Sequence, residues 1–251
     1  MGNKKTGCSK CIDAPPLPFD VSMAFQPIVN LETGAVFAQE ALVRGTQGEP
    51  ASSIFAHVNE DNQYQFDQTC RVKAIEMASK VGVDTRLSIN FMPNAVYRAE
   101  TCIQTTLRAA AEFEFPLDKI VFEITEADRV PDKNHLRNII DYYKQRGFMT
   151  AIDDFGAGYA GLNLLADFIP DLVKLDMELV RNIDQSPSRL AIGRHMIGLC
   201  HDLGIEVIAE GIESRAERDA LSDLGIRLFQ GYYFARPAFE SIAEIDPVSL
   251  S

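Results

Sequence analysis

Short apolar runs bounded by polar turns alternate along this chain with longer stretches whose apolar residues recur at helical spacing. Ser22 to Asn30 (SMAFQPIVN) and Val36 to Arg44 (VFAQEALVR) flank Glu32-Thr33-Gly34. That pattern predicts two strands joined by a tight turn, hence antiparallel neighbours. A helical stretch is expected from Ser53 to Val81. The alternation then becomes regular. Strand LSINF (87–91) precedes a helix over 94–112, and KIVFEIT (119–125) precedes one over 134–146 that Gly147 closes. Strand FMTAIDD (148–154) leads through a glycine-rich loop to the short helical run LNLLADF. LVKLD (172–176) precedes a helix over 189–203, EVIAEG (206–211) one over 215–224, and RLFQGYYF (227–234) comes last.

Strands alternating with amphipathic helices are βα units, and βα units make parallel sheets. Seven or eight of them in 251 residues point to a (β/α)8 TIM-type barrel. The opening hairpin departs from a regular barrel. An open doubly wound sheet is the competing architecture, but no GxGxxG follows the first strand. Residues 1–20, with Pro15, Pro16 and Pro18, read as a flexible tail, and 21–251 as one domain.

Composition narrows the function classes. A hydrophobic fraction of 46% supports a full core. A net charge of −12 repels long polyanions, so DNA or RNA polymers are not expected partners. An anionic substrate would need cations at its site. No apolar run is long enough to span a membrane, and the N-terminus lacks the apolar core of a secretory signal. Five cysteines are no disulfide framework and fit a reducing cytoplasm. Gly2 and Thr6 match a loose myristoylation pattern, and Cys8-Ser-Lys-Cys11 is a lone CxxC; both read as ordinary lead-in residues.

The strand ends carry the chemistry. Glu40, Asn90, Glu123, Glu126, Asp153, Asp154, Lys174, Asp176, Glu210, Glu213 and Gln230 fall at or near the C-terminal ends of consecutive strands, which converge on one mouth in a barrel. A single acid at a strand end is usually a helix cap or a solvated loop residue. Glu40, Glu123, Asp153, Asp154 and Glu210, five acids gathered in one mouth, must protonate or bind cations. An all-oxygen donor set selects hard ions such as Mg2+, Mn2+ or Ca2+, and none of the four histidines falls at a strand end. Asp153-Asp154 suits a two-metal site, in which one carboxylate bridges cations about 3.5–4 Å apart.

These residues sit in blocks that resemble the EAL domains, phosphodiesterases of cyclic di-GMP. The blocks are FQPIVN (25–30), QEALVRG (39–45), INFMP (89–93), FEITE (122–126), IDDFGAGYAGL (152–162), VKLD (173–176), IAEGIE (208–213) and QGYYFARP (230–237). The similarity spans about residues 22–240. It implies a modified barrel with one antiparallel strand near the N-terminus, which accounts for the hairpin. It implies that Glu40, Asn90, Glu123 and Asp153 hold one Mg2+ or Mn2+, and Asp153, Asp154 and Glu210 a second, with Ca2+ inhibitory. Glu40, Lys174 and Glu210 would be catalytic, with Lys174 orienting the metal-activated water that opens the ring to linear pGpG. Gln26, Leu42, Arg44, Asp176 and Gln230 would contact the dinucleotide, with Gln230 and Glu213 supporting the site. Glu126 would anchor the loop after the Asp pair, which links metal binding to a homodimer. Ala160 and Gly161 replace the usual hydroxyl-bearing residues of that loop, which puts its regulation in question, and Val43 replaces the commoner Leu. Every metal-ligand position keeps a competent residue, so an active enzyme is expected. A catalytically silent receptor for the dinucleotide, or an interaction domain, is the alternative.

Overall fold

The turn between the first two strands sets the architecture. Asn30 Oδ1 accepts the backbone N–H groups of Glu32 and Thr33 at 2.9 and 3.2 Å, an Asx turn that reverses the chain. Strand β1 (Ser22–Asn30) therefore folds back on β2 (Ala35–Arg44), with Ser22 opposite Arg44 and Gln26 opposite Glu40. The computed structural model describes residues 17–96, 98–125, 133–158 and 161–250. Most of the expected tail, with Cys8 and Cys11, lies outside them, as do Glu126 and Ala160.

From β2 onward the strands run parallel: β3 (Arg86–Asn90), β4 (Ile120–Thr125), β5 (Met149–Phe155), β6 (Leu172–Leu175), β7 (Glu206–Ala209) and β8 (Leu228–Phe229). Antiparallel β1 pairs with both β2 and β8 and closes the barrel. A further strand, β9 (Ala238–Phe239), pairs with β1 at Ala24 and Phe25. The helices are α1 (Ala51–Phe55), α2 (Gln63–Val81), α3 (Ala99–Glu112), α4 (Lys133–Gln145), α5 (Gly161–Asp167), α6 (Met177–Val180), α7 (Pro187–Asp202) and α8 (Arg215–Asp223). Among the described residues no helix is long and apolar enough to cross a membrane.

Three expectations are corrected. The stretch from 53 to 81 is two helices, because Asn59 and Asn62 compete for the backbone. Asn59 Oδ1 accepts from the N–H of Asp61, and Asn62 Nδ2 donates to His57 O. The helix expected from 94 starts at Ala99, because Val96 and Arg98 are extended and only a 3-10 turn (Pro93–Ala95) precedes them. The last strand ends at Phe229 rather than at 234. Gln230 O accepts from Ile212 N, and the chain then coils, with Phe234 N donating to Gly231 O.

Inside the barrel, Ile28, Ala38, Val121, Ala151, Leu172, Ile208 and Leu228 form a small apolar layer of their own. Side chains alternate along a strand, so the residue two positions nearer the mouth shares the inward face. Those residues are Gln26, Glu40, Glu123, Asp153, Lys174, Glu210 and Gln230, Gln26 coming before Ile28 because β1 runs the other way. The larger core packs outside the barrel, between strands and helices. There Arg71 of α2 is fully buried, paired with Asp67, hydrogen-bonded to Tyr143 Oη at 3.0 Å and set against the rings of Phe91 and Phe122.

Candidate active site

The polar layer above the apolar one is organised around Lys174. Its ammonium is 1% exposed and lies 2.7 Å from Glu210 Oε1, 2.9 Å from Glu123 Oε2, 3.1 Å from Asp153 Oδ1 and 3.4 Å from Glu40 Oε2. One positive charge thus faces four carboxylates. Burial alone would lower the lysine pKa, but Asp153, Glu123, Glu210 and Glu40 together carry it well above its ordinary value. Burial pushes the Glu123 carboxyl up to about 8, with Lys174 opposing and Glu40 and Asp153 adding to the rise. Burial likewise drives Glu210 well above the ordinary carboxylate range.

Neutral groups fix the acids. Gln230 Nε2 donates to Glu40 Oε2 at 2.7 Å and Asn90 Nδ2 to Glu40 Oε1 at 3.1 Å. Gln230 Nε2 also reaches Gln26 Oε1 at 3.2 Å, and Gln26 Nε2 donates to Ala235 O. The Ser88 hydroxyl donates to Glu123 Oε1. Ser88 was not among the residues expected at the site; its signal was the strand period, since it lies two residues before Asn90 on the same strand face.

A β-bulge delivers the aspartate pair. Ile152 faces Val173 and Phe155 faces Leu175, so two residues of β5 stand where β6 has one, Lys174. Asp154 takes up the irregularity in a left-handed conformation, φ +53°. Its carboxyl is pushed up to about 6, first by burial and then by Asp153 and Asp176, with Lys174 opposing. Asp176 caps α6, accepting the Glu178 N–H at 2.8 Å. The loops after β7 and β8 approach so closely that side chains do not fit. A Cβ on Gly231 would fall 2.1 Å from Ile212 O, and one on Gly211 (φ +65°) 2.4 Å from Met177 Cβ.

Carboxylate oxygens of Glu40, Glu123 and Asp153 lie within 4.8 Å of one another, and so do those of Asp153, Asp154 and Glu210. Asp153 belongs to both sets. The donors are all oxygens and carry a large negative excess, which fits two hard divalent cations. Among the described residues Gln230 Oε1 is buried with no hydrogen-bond partner, an acceptor left open at the same wall.

Two cavities meet at these acids. One, of about 300 Å3, is lined by Asp154, Asp176, Glu213, Gly231 and Tyr232. The other, of about 370 Å3, is more apolar and lined by Leu42, Arg44, Phe55, Phe66 and Met92. Glu40 and Asp153 line both. All the expected site residues among those described reach this mouth. Glu213 sits at its rim, 2.7 Å from Arg181, and Arg44 donates to the carbonyl of Val43. Tyr232 and Met177 line it too; both were missed, Tyr232 because its segment reads as strand but coils past Phe229, and Met177 because it opens the single-turn α6, too short to show a helical period.

Comparison with known proteins gives a consistent result. The family model described as EAL domain matches residues 19–237. The crystal structure of a standalone versatile EAL protein from Vibrio cholerae O395, in its c-di-GMP bound form, is 54% identical. It superposes with a TM-score of 0.91, covering 94% of this chain and 99% of that one. The manganese/cy-diGMP complex of Klebsiella pneumoniae BlrP1 at pH 9.0 is 35% identical, with a TM-score of 0.85 over 92% of this chain and 60% of that one. Among curated relatives, the Escherichia coli blue light- and temperature-regulated antirepressor BluF is 31% identical over 88% of this chain and 55% of its own length. The Pseudomonas aeruginosa cyclic di-GMP phosphodiesterase RocR is 29% identical over 85% and 56%. The chain therefore spans about half the length of these two curated relatives.

Proposed function

The chain belongs to the EAL domain family, and from that premise we propose that it is a metal-dependent phosphodiesterase that hydrolyses cyclic di-GMP to linear pGpG. The observation that carries this reading is Asp153, shared by two carboxylate sets at the junction of two cavities. A cyclic dinucleotide has two phosphodiesters, and one of them would lie at such a junction with a base to each side. Glu40, Asn90, Glu123 and Asp153 would hold one Mg2+ or Mn2+, and Asp153, Asp154 and Glu210 the other. The cations would supply positive charge for the phosphoryl oxygens and an activated water. Two divalent ions nearly balance the five acids.

The protein's own residues define the rest. Lys174 stays protonated, so it donates hydrogen bonds and orients a water rather than accepting its proton. Gln230 and Asn90 hold Glu40, and Ser88 holds Glu123, so the carboxylates are in place before substrate arrives. Gln26, Leu42, Arg44, Asp176 and Gln230 would bind the dinucleotide, with Glu213 as rim support. Ca2+, larger and less demanding of octahedral geometry, would bind without supporting turnover. The reading also places the protein in the cytoplasm as a homodimer, with Glu126 acting through the loop after Asp154.

The test is turnover of cyclic di-GMP with Mg2+ or Mn2+, following pGpG by chromatography, beside Glu40→Ala. Product from the wild type and none from the variant supports the proposal. Tight binding of the dinucleotide without product would instead identify a receptor.

A further inference from the structure

Glu217 lies outside the mouth, yet it fastens together two of the loops that build it. The residue is 2% exposed and sits in the first turn of α8. Its two carboxylate oxygens serve different chain segments. Oε2 accepts the backbone N–H groups of Glu213 and Ser214 at 3.0 and 3.1 Å, in the loop that follows Glu210. Oε1 accepts the N–H of Asn182 at 2.9 Å, in the loop that follows Asp176 and α6. Arg181 reinforces the junction, with Nη1 2.7 Å from Glu213 Oε2 and 3.8 Å from Glu217 Oε1. Asn182 takes a left-handed conformation, φ +51°, at the point where its N–H meets Glu217.

Part of this is ordinary helix capping. Ser214 and Glu217 form a reciprocal capping box, and Ser214 Oγ accepts from Glu217 N at 3.2 Å. A capping box requires one side-chain oxygen from its third residue, and Oε2 supplies it. The bond from Oε1 to Asn182 is additional and joins α8 to a loop 35 residues earlier in sequence. The two loops also touch at Gly211 and Met177, where no room for a Cβ remains, so their spacing is tightly set.

We infer that Glu217 is a positioning residue for the second cation, holding the Glu210 loop against the Asp176 loop. The inference rests on the two-cation reading proposed above. Partners that orient metal ligands typically contribute 10- to 100-fold in metal affinity. Glutamine is the decisive replacement. It offers one acceptor oxygen where two are used, so Glu217→Gln can keep the helix cap only by turning an NH2 group toward the Asn182 N–H. Ser214→Ala does the reverse: it removes the hydroxyl cap and leaves both carboxylate oxygens in place.

Direct Mn2+ titration by calorimetry and electron paramagnetic resonance tests this on the whole chain without substrate, with thermal melts beside it. The expected result is two Mn2+ per wild-type chain. In Glu217→Gln one of the two ions should bind roughly tenfold less tightly and the other be unchanged. Ser214→Ala should lower the melting temperature while leaving both affinities as in the wild type. Two ions in the wild type with unchanged affinities in Glu217→Gln would overturn the inference alone. So would equal weakening in Ser214→Ala, since that would make the effect one of helix stability. A wild type that binds fewer than two ions would remove the two-cation reading and the inference with it.

Discussion

Lys174 Nζ and Glu210 Oε1 stand 2.7 Å apart, the shortest of four contacts that this buried ammonium makes with carboxylates of four different strands or strand ends. The lysine is the resident counter-ion of the acid layer. Replacing it with methionine keeps most of the volume and removes the charge. Turnover of cyclic di-GMP should fall at least about 100-fold, the usual cost of losing a preorganised donor at a reacting oxygen. Mn2+ affinity should stay level or rise, because the acids lose their internal competitor. Steady-state kinetics and calorimetry on Lys174→Met would show both; weakened Mn2+ binding would contradict this account.

Asp154 and Glu123 make cation binding depend on pH. Asp154 is raised from 3.8 to about 6 and Glu123 from 4.5 to about 8, both chiefly by burial. Cation ligands must be deprotonated, so Mn2+ affinity should increase as pH rises through about 6 and again toward 8, then level off. Binding below that range should release protons, seen as a buffer-dependent heat. The sign for stability is opposite in the cation-free protein. Between the ordinary carboxylate values and the raised ones the folded state holds more protons than the unfolded, so stability falls as pH rises through that window. Saturating Mn2+ should abolish the fall. Melting temperatures from pH 5 to 9, with and without Mn2+, check this.

Asp154 combines a carboxylate of the proposed cation site with an unfavourable backbone. Its φ of +53° suits glycine and is strained for alanine. Asp154→Gly and Asp154→Ala remove the same charge, so their difference isolates the backbone. Asp154→Gly should be more stable than Asp154→Ala by about 1 kcal/mol, and both should lose one of two bound Mn2+. Chemical denaturation measures the first, metal titration the second. Equal stabilities would mean the bulge relaxes.

The Asp67–Arg71 pair is a stability element outside the barrel. Asp67 also accepts the Met92 N–H at 2.9 Å, just past Asn90. Arg71→Met would strand a buried carboxylate, at a cost of about 3–5 kcal/mol. The double replacement Asp67→Leu with Arg71→Met should cost less than the single change. A double-mutant cycle in urea decides it, with additive losses as the contrary result.

How far the sequence discloses this molecule depends on whether a feature is periodic. The strands that carry Glu40, Asn90, Glu123, Asp153, Lys174 and Glu210 were readable because each apolar run carries a polar residue in or just after its C-terminal part. The inward face repeats every second residue, and the same rule recovers Ser88 in retrospect. What escaped has no period. The break at 56–62 comes from Asn59 and Asn62 binding nearby backbone, a competition that helical spacing does not register. The early end of β8 depends on Gln230 O meeting Ile212 N, a contact between two loops. The bulge at Asp153-Asp154 is invisible in a run that looks like an ordinary strand. Glu217 was legible only as the last letter of a capping box, and its second attachment is tertiary.

The apolar layer of seven side chains beneath the acids also shapes the electric potential outside them. It is a floor of low polarisability, so the field of the buried carboxylates leaves chiefly through the open mouth, where solvent is. A small cation is drawn down that gradient. A doubly anionic dinucleotide is turned away by it, more so on a chain of net charge −12. On the proposed chemistry, the barrel floor therefore imposes an order of loading: ions first, nucleotide second, and faster capture of ions at low ionic strength than at high.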